Sequence, residues 1–285
     1  MQKTWNILYR GDLSSCNYSC DYCPFAKTKN TKEELEIDAG QVRKFQNWIS
    51  GRKERIGILF TPWGEALIRK YYQQTMTQLS HMKHVYRVAM QTNLSCHLEW
   101  MHEVNKDTFA LWTTFHPSQT SVDAFLAKCE ALLNMGIRFS VGTVGLKEDL
   151  ETIRLLREKL PTSVYLWVNA YKSGTDYYTQ GEIKFIEFID PLFHWNNQRH
   201  ESLGKPCRAG ETTFSIDGMG NVTSCHFISR KLGNIYENSI ENILKPSTCV
   251  KETCSCHIGY VHMKELEQDE IYGNGLLERI PIRFH

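Results

Sequence analysis

Three cysteines near the start of the chain have the spacing of a metal-binding loop. Cys16, Cys20 and Cys23 form the pattern C-x3-C-x2-C. Closely spaced thiolates on one loop can surround a single iron–sulfur cube. Since a cube has four irons, three cysteines leave one iron open, whereas electron-transfer clusters normally use four cysteines. The spacing therefore predicts a cluster that binds a further molecule, and a zinc site made from the same thiols is the alternative.

This cysteine pattern resembles the signature of the radical S-adenosylmethionine (SAM) superfamily, in which an aromatic residue precedes the third cysteine. Tyr22 has that position. The resemblance implies that SAM binds the open iron of a [4Fe–4S] cluster, and that an electron from the reduced cluster breaks the C5′–S bond. The resulting 5′-deoxyadenosyl radical would then take a hydrogen atom from a substrate. A flavodoxin- or ferredoxin-type protein would supply the electron.

Three later segments resemble SAM-binding motifs of the same superfamily. The segment from Thr61 to Ala66 is similar to the Gly-Gly-Glu-Pro motif that binds the SAM amino group, with Trp63 in place of the first Gly and Ala66 in place of Pro. A second segment, at residues 91–93, is polar where the family contacts the methionyl group or the ribose. A third segment, at residues 142–148, is similar to the adenine-contacting Gly-x-Ile-x-Gly motif but one residue short. The residues that the resemblance assigns to SAM are Tyr22, Gly64, Glu65, Thr92, Asn93, Gly142 and Val144.

Five more cysteines lie in the last third of the chain. Cys207 is separated by twelve residues from Gly220, and Cys225 follows after four more residues. This spacing resembles the SPASM and twitch extensions of radical SAM enzymes, where it supplies two ligands of an auxiliary [4Fe–4S] cluster. Five cysteines are too few for the two clusters of a full SPASM domain, so the resemblance implies one, with zinc as the alternative. The candidates for the two remaining ligands are Cys249, Cys254 and Cys256.

The elements that must position these residues alternate along the first two thirds of the chain. The predicted strands are at residues 5–9, 56–60, 86–90, 109–115, 138–144 and 164–169, and the predicted helices are at 38–49, 66–82, 97–105, 121–135, 147–160 and 180–189. Asp38 and Gln41 predict a capping box at the start of the first helix. Gly136 is predicted to end the fourth.

Six repeated strand–helix units favour an α/β fold with a parallel sheet and helices outside it. Six strands are too few for a closed eight-stranded barrel. With the resemblance, the pattern predicts a partial (β/α)6 radical SAM barrel at residues 1–190, a linker at 191–206 and a small α+β SPASM/twitch-like extension at 207–285. The motifs follow the strands, so they should meet at the carboxyl edge of the sheet.

Two residues at this edge could act on a substrate. His116 ends the fourth predicted strand and could move a proton, and Cys96 follows the third and could donate a hydrogen atom. Three hypotheses are open: a radical SAM oxidoreductase with one auxiliary cluster acting on a peptide or a small polar molecule, a redox-neutral epimerase that uses Cys96, and a non-enzymatic zinc or iron–sulfur protein. Packed, structural roles for Cys96 and His116 are the alternatives.

Composition narrows the environment and the partners. The net charge of +1 gives no electrostatic reason to expect nucleic acid or an anionic membrane as a partner. The chain lacks an apolar stretch of the ~20 residues that a membrane span needs. Its first residues lack the apolar core of a secretory signal. Because a reducing cytoplasm disfavours disulfides, ten cysteines predict metal binding in a cytoplasmic protein.

Overall fold

A nine-stranded sheet lies at the centre of the computed structural model, which describes residues 3–25, 28–174 and 176–284. The strands of the described residues are β1 Thr4–Arg10, β2 Arg55–Phe60, β3 Val85–Thr92, β4 Phe109–Thr114, β5 Arg138–Gly145, β6 Leu166–Ala170, β7 His200–Glu201, β8 Pro206–Cys207, β9 Thr213–Asp217, β10 Asn221–Thr223, β11 Lys231–Asn234, β12 Ser247–Thr248 and β13 Thr253–Cys254. Four of these thirteen strands lie outside the nine-stranded sheet and form two separate pairs, β12 with β8 and β13 with β7. The helices are α1 Lys32–Ser50, α2 Lys70–Ser80, α3 Val122–Asn134, α4 Leu150–Lys159, α5 Gln180–Ile189, α6 Phe193–Asn196, α7 Ile240–Ile243, α8 His257–Tyr260 and α9 Gln268–Tyr272.

Strands β1 to β6 are parallel neighbours in chain order. Successive side chains of a strand point to opposite faces. Ile7 and Ile58 therefore pack into the main core with the helices, whereas Leu8 and Leu59 belong to a smaller cluster on the inner face. The predicted partial barrel with outer helices is confirmed.

The start of α1 differs from the prediction. Thr31 caps the helix in a capping box with Glu34, seven residues before the predicted cap at Asp38. Asp38 lies inside the helix and is buried, where its carboxylate accepts hydrogen bonds from the backbone N–H of Asp12 and the hydroxyl of Tyr71. The Asp-x-x-Gln pattern was therefore a wrong sign of a helix start, because a buried polar contact accounts for Asp38. The prediction that Gly136 ends α3 is confirmed by its φ of +70°.

The C-terminal hairpin continues the sheet of the partial barrel. Strand β9 pairs in parallel with β1, and β10 and β11 extend the sheet beyond it by antiparallel pairing. Gly220, with a φ of +83°, makes the turn that the sequence predicts between β9 and β10. The division into a core at residues 1–190 and an extension at 207–285 stays a prediction, although both parts contribute strands to one sheet.

The chain end fills the amino-terminal end of the partial barrel. Glu278 is fully buried and forms ion pairs of 3.0 Å with Arg87 and Arg138, which stand on β3 and β5. The guanidinium of Arg279 lies 4.3 Å from the centroid of the Trp167 ring. In the part of the chain that the structure describes, we find no helix that could cross a membrane.

Candidate functional site

The first cysteine loop follows β1 at the carboxyl edge of the sheet. The backbone N–H of Tyr18 lies 3.4 Å from Cys16 Sγ, and the side-chain amide of Asn93 approaches the same sulfur at 3.7 Å. The backbone N–H of Cys23 donates to the carbonyl of Cys20 at 3.2 Å. Burial raises the pKa of Cys16, and the hydrogen bond from the backbone N–H of Tyr18 opposes that effect.

The loop after β2 holds the cysteine loop through backbone contacts. Gly64 N–H donates to Leu13 O at 3.3 Å, and Glu65 N–H donates to Ser15 O at 3.0 Å. A Cβ atom on Gly64 would lie 2.0 Å from the carbonyl oxygen of Ser15. Glycine is thus required by the close approach of two backbones immediately before Cys16.

Glu65 is buried, and its carboxylate accepts three hydrogen bonds. Its carboxylate accepts from Thr92 Oγ1 at 2.7 Å, from the backbone N–H of Asn93 at 2.7 Å and from the backbone N–H of Leu67 at 3.1 Å. Burial raises the pKa of Glu65, and these hydrogen bonds oppose that effect. Glu65 therefore fixes the end of β3 and, through it, the Asn93 amide beside Cys16. Contact of Glu65, Thr92 or Asn93 with SAM stays a prediction.

His116 stands over the cysteine loop. Its Nδ1 lies 2.6 Å from the hydroxyl of Tyr22 and 3.5 Å from Cys20 Sγ. Burial lowers the pKa of His116 to about 4, so the ring is neutral at pH 7. With its proton on Nε2, the ring accepts a hydrogen bond from Tyr22. The structure thus gives His116 contacts to the cluster loop, and its role as a proton carrier stays a prediction.

Two other predicted site residues have packing explanations. A Cβ atom on Gly142 would lie 2.0 Å from the indole ring of Trp167, so β5 needs glycine there to admit this ring. Cys96 is 2% exposed and belongs to the main hydrophobic core. Val144 is half-buried near the end of β5. The roles predicted for Gly142 and Val144 toward SAM, and for Cys96 as a hydrogen donor, stay predictions.

All five C-terminal cysteines line one cavity of about 110 Å³. They are Cys207, Cys225, Cys249, Cys254 and Cys256. The spacing in the sequence left open which of the last three contribute, and the structure brings all three to the cavity. Among the described residues, no three His, Cys, Asp or Glu side chains converge on a point as ligands of a single metal ion do. Thiols arranged around a cavity fit a cluster, whose several irons separate its ligands.

Short strand pairs fix the positions of these thiols. Strand β12 pairs with β8, so that Ser247 lies opposite Cys207, and β13 pairs with β7, so that Cys254 lies opposite His200. The backbone N–H of Ala209 approaches Cys207 Sγ at 3.4 Å. The thiols around the cavity therefore come from four chain segments that only tertiary pairing brings together.

Polar groups connect the two cysteine sites. Thr61 Oγ1, at the end of β2, lies 2.7 Å from His226 Nε2, next to Cys225. The side-chain amine of Lys172, two residues beyond β6, donates to the carbonyl of Ser255. The two sites are thus joined through the carboxyl edge of the partial barrel. No sequence motif predicts this contact of His226, although its place next to Cys225 is a signal.

Comparison with protein families identifies the second site. Residues 207–268 match the SPASM family, described as an iron–sulfur cluster-binding domain. This segment is therefore similar to a SPASM domain. It contains all five cavity cysteines, which agrees with the resemblance drawn from the Cys207–Cys225 spacing. No protein of curated function matches the chain.

Solved structures share the fold at low sequence identity. Native anSMEcpe with bound AdoMet and Cp18Cys peptide is 14% identical, with a TM-score of 0.54 over 84% of this chain and 80% of its own. SuiB of Streptococcus suis bound to S-adenosylmethionine is 12% identical, with a TM-score of 0.57 over 90% of this chain and 74% of its own. The chain therefore shares the fold of these two proteins, and its residues 207–268 match the SPASM family.

Proposed function

We propose that the chain is a radical SAM enzyme that carries one auxiliary [4Fe–4S] cluster in its SPASM domain. The observation that carries this proposal is the placement of two cysteine sites at the carboxyl edge of one partial barrel. Cys16, Cys20 and Cys23 would hold the first cluster and leave one iron to SAM. When bound, this cluster supplies the electron that cleaves SAM to a 5′-deoxyadenosyl radical, which abstracts hydrogen from substrate.

The residues around the first loop position and shelter that chemistry. Gly64 lets the loop after β2 approach the cysteine loop, and Glu65 orders the end of β3 so that the Asn93 amide lies beside Cys16. Neutral His116 orients Tyr22, the aromatic residue of the cysteine motif. These contacts support a cysteine loop that is preorganised for its cluster.

The substrate and the partners belong to the same proposal. The neighbours anSMEcpe and SuiB have been solved with a peptide and with a precursor peptide. We propose an oxidative reaction on a peptide or small polar substrate in the cytoplasm, with an electron donor of flavodoxin or ferredoxin type. Four of the five cavity cysteines would hold the auxiliary cluster, which accepts an electron from the substrate or anchors it. The buried position of Cys96 gives no support to a redox-neutral reaction that uses its thiol.

Paired cysteine variants test the proposal. We expect the anaerobically reconstituted protein, with dithionite and SAM, to release 5′-deoxyadenosine, measured by liquid chromatography and mass spectrometry. Cys16→Ala should reduce release to the level without enzyme and keep the auxiliary iron, because the two sites use different thiols. Cys207→Ala should lose only the auxiliary iron and continue to cleave SAM without substrate.

Cys129→Ala is the matched control, since it removes a thiol that is buried in the main core. It should keep the iron content and the SAM cleavage of the parent protein. Undiminished 5′-deoxyadenosine release by Cys16→Ala would refute the proposed first cluster. Zinc in place of iron and sulfide in the purified parent would refute both clusters.

A further inference from the structure

A hydrogen bond joins the SPASM-like segment, residues 207–268, to the loop after β2. His226 Nε2 lies 2.7 Å from Thr61 Oγ1, although the two residues are 165 positions apart along the chain. Thr61 directly follows β2 and is fully buried. His226 directly follows Cys225, which lines the cavity of the five C-terminal cysteines. The loop after β2, residues 61–66, is the segment that resembles a SAM-binding motif, so the bond connects the surroundings of the two cysteine sites.

The barrel holds the backbone of Thr61, and His226 holds its side chain. The backbone N–H of Thr61 donates to the carbonyl of Tyr9 at 2.9 Å, and its carbonyl accepts from Arg10 Nε at 2.7 Å. Both partners stand on β1. The hydroxyl of Thr61 lies 3.4 Å from the same carbonyl of Tyr9 but 2.7 Å from His226 Nε2, so the imidazole is its nearer partner. The SPASM-like segment therefore fixes the polar group of Thr61 that β1 holds only weakly.

The chain between Thr61 and the cysteine loop is short and stiff. Pro62 fixes its own φ and restricts the residue before it to extended conformations. The ring of Trp63 is packed, with the guanidinium of Arg10 4.0 Å from its centroid. The next residue, Gly64, already touches the backbone of the cysteine loop. Because so few torsions between them are free, a displacement of Thr61 would also move Gly64 and the contact it makes.

We propose that His226 is a positioning residue for SAM binding at the first cysteine site. It acts through the hydroxyl of Thr61, which holds the loop after β2 where it meets the cysteine loop. This inference rests on the proposed function, because it takes SAM as the ligand of that site. A loop that is in the binding position for only a fraction of the time raises the apparent Kd by the inverse of that fraction. Loss of the hydrogen bond should therefore weaken SAM binding while the cysteines of both sites are unchanged.

The affinity for SAM measures this role without turnover. Reconstituted, oxidised protein is equilibrated with labelled SAM by anaerobic dialysis, and the iron content of each sample is determined. Thr61→Val removes the hydroxyl with little change of shape, and His226→Ala removes the imidazole. Each should raise the Kd for SAM about fivefold at unchanged iron content, which is the factor that a typical net hydrogen bond contributes to an equilibrium. The double variant should raise the Kd no further, because both changes remove the same contact.

A conservative variant and a matched control separate positioning from folding. His226→Gln keeps a side-chain amide near the place of Nε2 and should restore most of the affinity for SAM. His84→Ala is the control, because His84 Nε2 lies 2.9 Å from the carbonyl of Ile49, just before the amino end of β3. It loses a histidine hydrogen bond away from the carboxyl edge of the sheet and should bind SAM with the Kd of the parent protein.

The outcomes keep this inference apart from the proposed function. SAM binding by the parent protein with an unchanged Kd in Thr61→Val, or with additive effects in the double variant, would refute the positioning role and leave the enzyme standing. Loss of auxiliary iron in His226→Ala beside normal SAM binding by Thr61→Val would show that His226 serves only the turn at Cys225. No SAM binding by the parent protein would refute the proposed function and this inference with it.

Discussion

At the scale of single residues, cysteines of this chain differ by environment more than by type. Cys16 receives N–H groups directed at its sulfur. Cys96 and Cys129 are instead packed among apolar side chains of the main core. Burial raises the pKa of both thiols to about 12. A thiol that stays protonated is a poor nucleophile.

We predict that Cys96 and Cys129 resist alkylation in the folded protein. With a pKa of about 12 in place of 9, the thiolate fraction at pH 8 falls about a thousandfold. Iodoacetamide labelling of the native chain, followed residue by residue by mass spectrometry, should therefore modify both only after denaturation. The thiols ionise near pH 9 in the unfolded chain and only near pH 12 in the folded protein. The free energy of unfolding should therefore decrease as the pH rises from about 9 to about 12. Rapid native labelling of Cys96 would instead show an accessible thiol and revive its role as a hydrogen donor.

At the scale of elements, the first site depends on two loops that touch through their backbones. The loop after β1 carries the cysteines, and the loop after β2 donates two N–H groups to it. Parallel neighbouring strands bring both loops to the same edge of the sheet. The contact leaves no space for a side chain at Gly64.

Gly64→Ala should disturb the first cluster although it leaves all three cysteines of the loop unchanged. Its methyl group would overlap the carbonyl of Ser15, which forces the loops apart at a cost of about 1–3 kcal/mol. We expect iron content to fall toward that of the auxiliary cluster alone, measured by iron analysis after reconstitution.

Gly40→Ala is the matched control for this substitution. Gly40 lies inside α1 with open space around the position of its missing Cβ. Since alanine is favoured over glycine in a helix interior, this variant should gain up to about 1 kcal/mol and keep both clusters. Full iron content in Gly64→Ala would show that the loops adapt to the methyl group.

At the scale of the whole molecule, the SPASM-like segment and the last residues of the chain both contact the partial barrel. Strand β9 pairs with β1, and Glu278 inserts between Arg87 and Arg138 on the inner face. Arg87 is 7% exposed at its side chain and Glu278 is fully buried. Removing one partner of a buried ion pair leaves the other charge uncompensated.

Glu278→Gln should therefore destabilise the fold by about 3–5 kcal/mol, because Arg87 keeps its charge inside the barrel. Chemical denaturation followed by circular dichroism measures the loss. Glu151→Gln is the control, since its partner Arg154 is an exposed neighbour on α4 and such pairs contribute little. If the two variants were equally stable, the buried ion pairs of Glu278 would not stabilise the partial barrel.

The sequence by itself predicted the two groups of cysteines and the class of fold. Cysteine spacing is local, so Cys16, Cys20 and Cys23 could be assigned to one loop without coordinates. Strand and helix periodicity is also local, which is why all six strands and five of the six helices were predicted. The helix predicted at 97–105 is wrong, because this segment forms only a short 3-10 helix, Glu99–Glu103. The helix start at Thr31 was missed because Asp38 offered a similar local pattern, and only the fold shows that its carboxylate is buried.

Tertiary structure alone decided which distant residues meet. It brought five cysteines to one cavity: Cys207, Cys225, Cys249, Cys254 and Cys256. The short strand pairs that position them are not predicted by any periodicity of the sequence. It also buried Cys96 in the main core. The physical reason is that charge compensation and burial depend on neighbours in space, whereas spacing along the chain reports only neighbours in sequence.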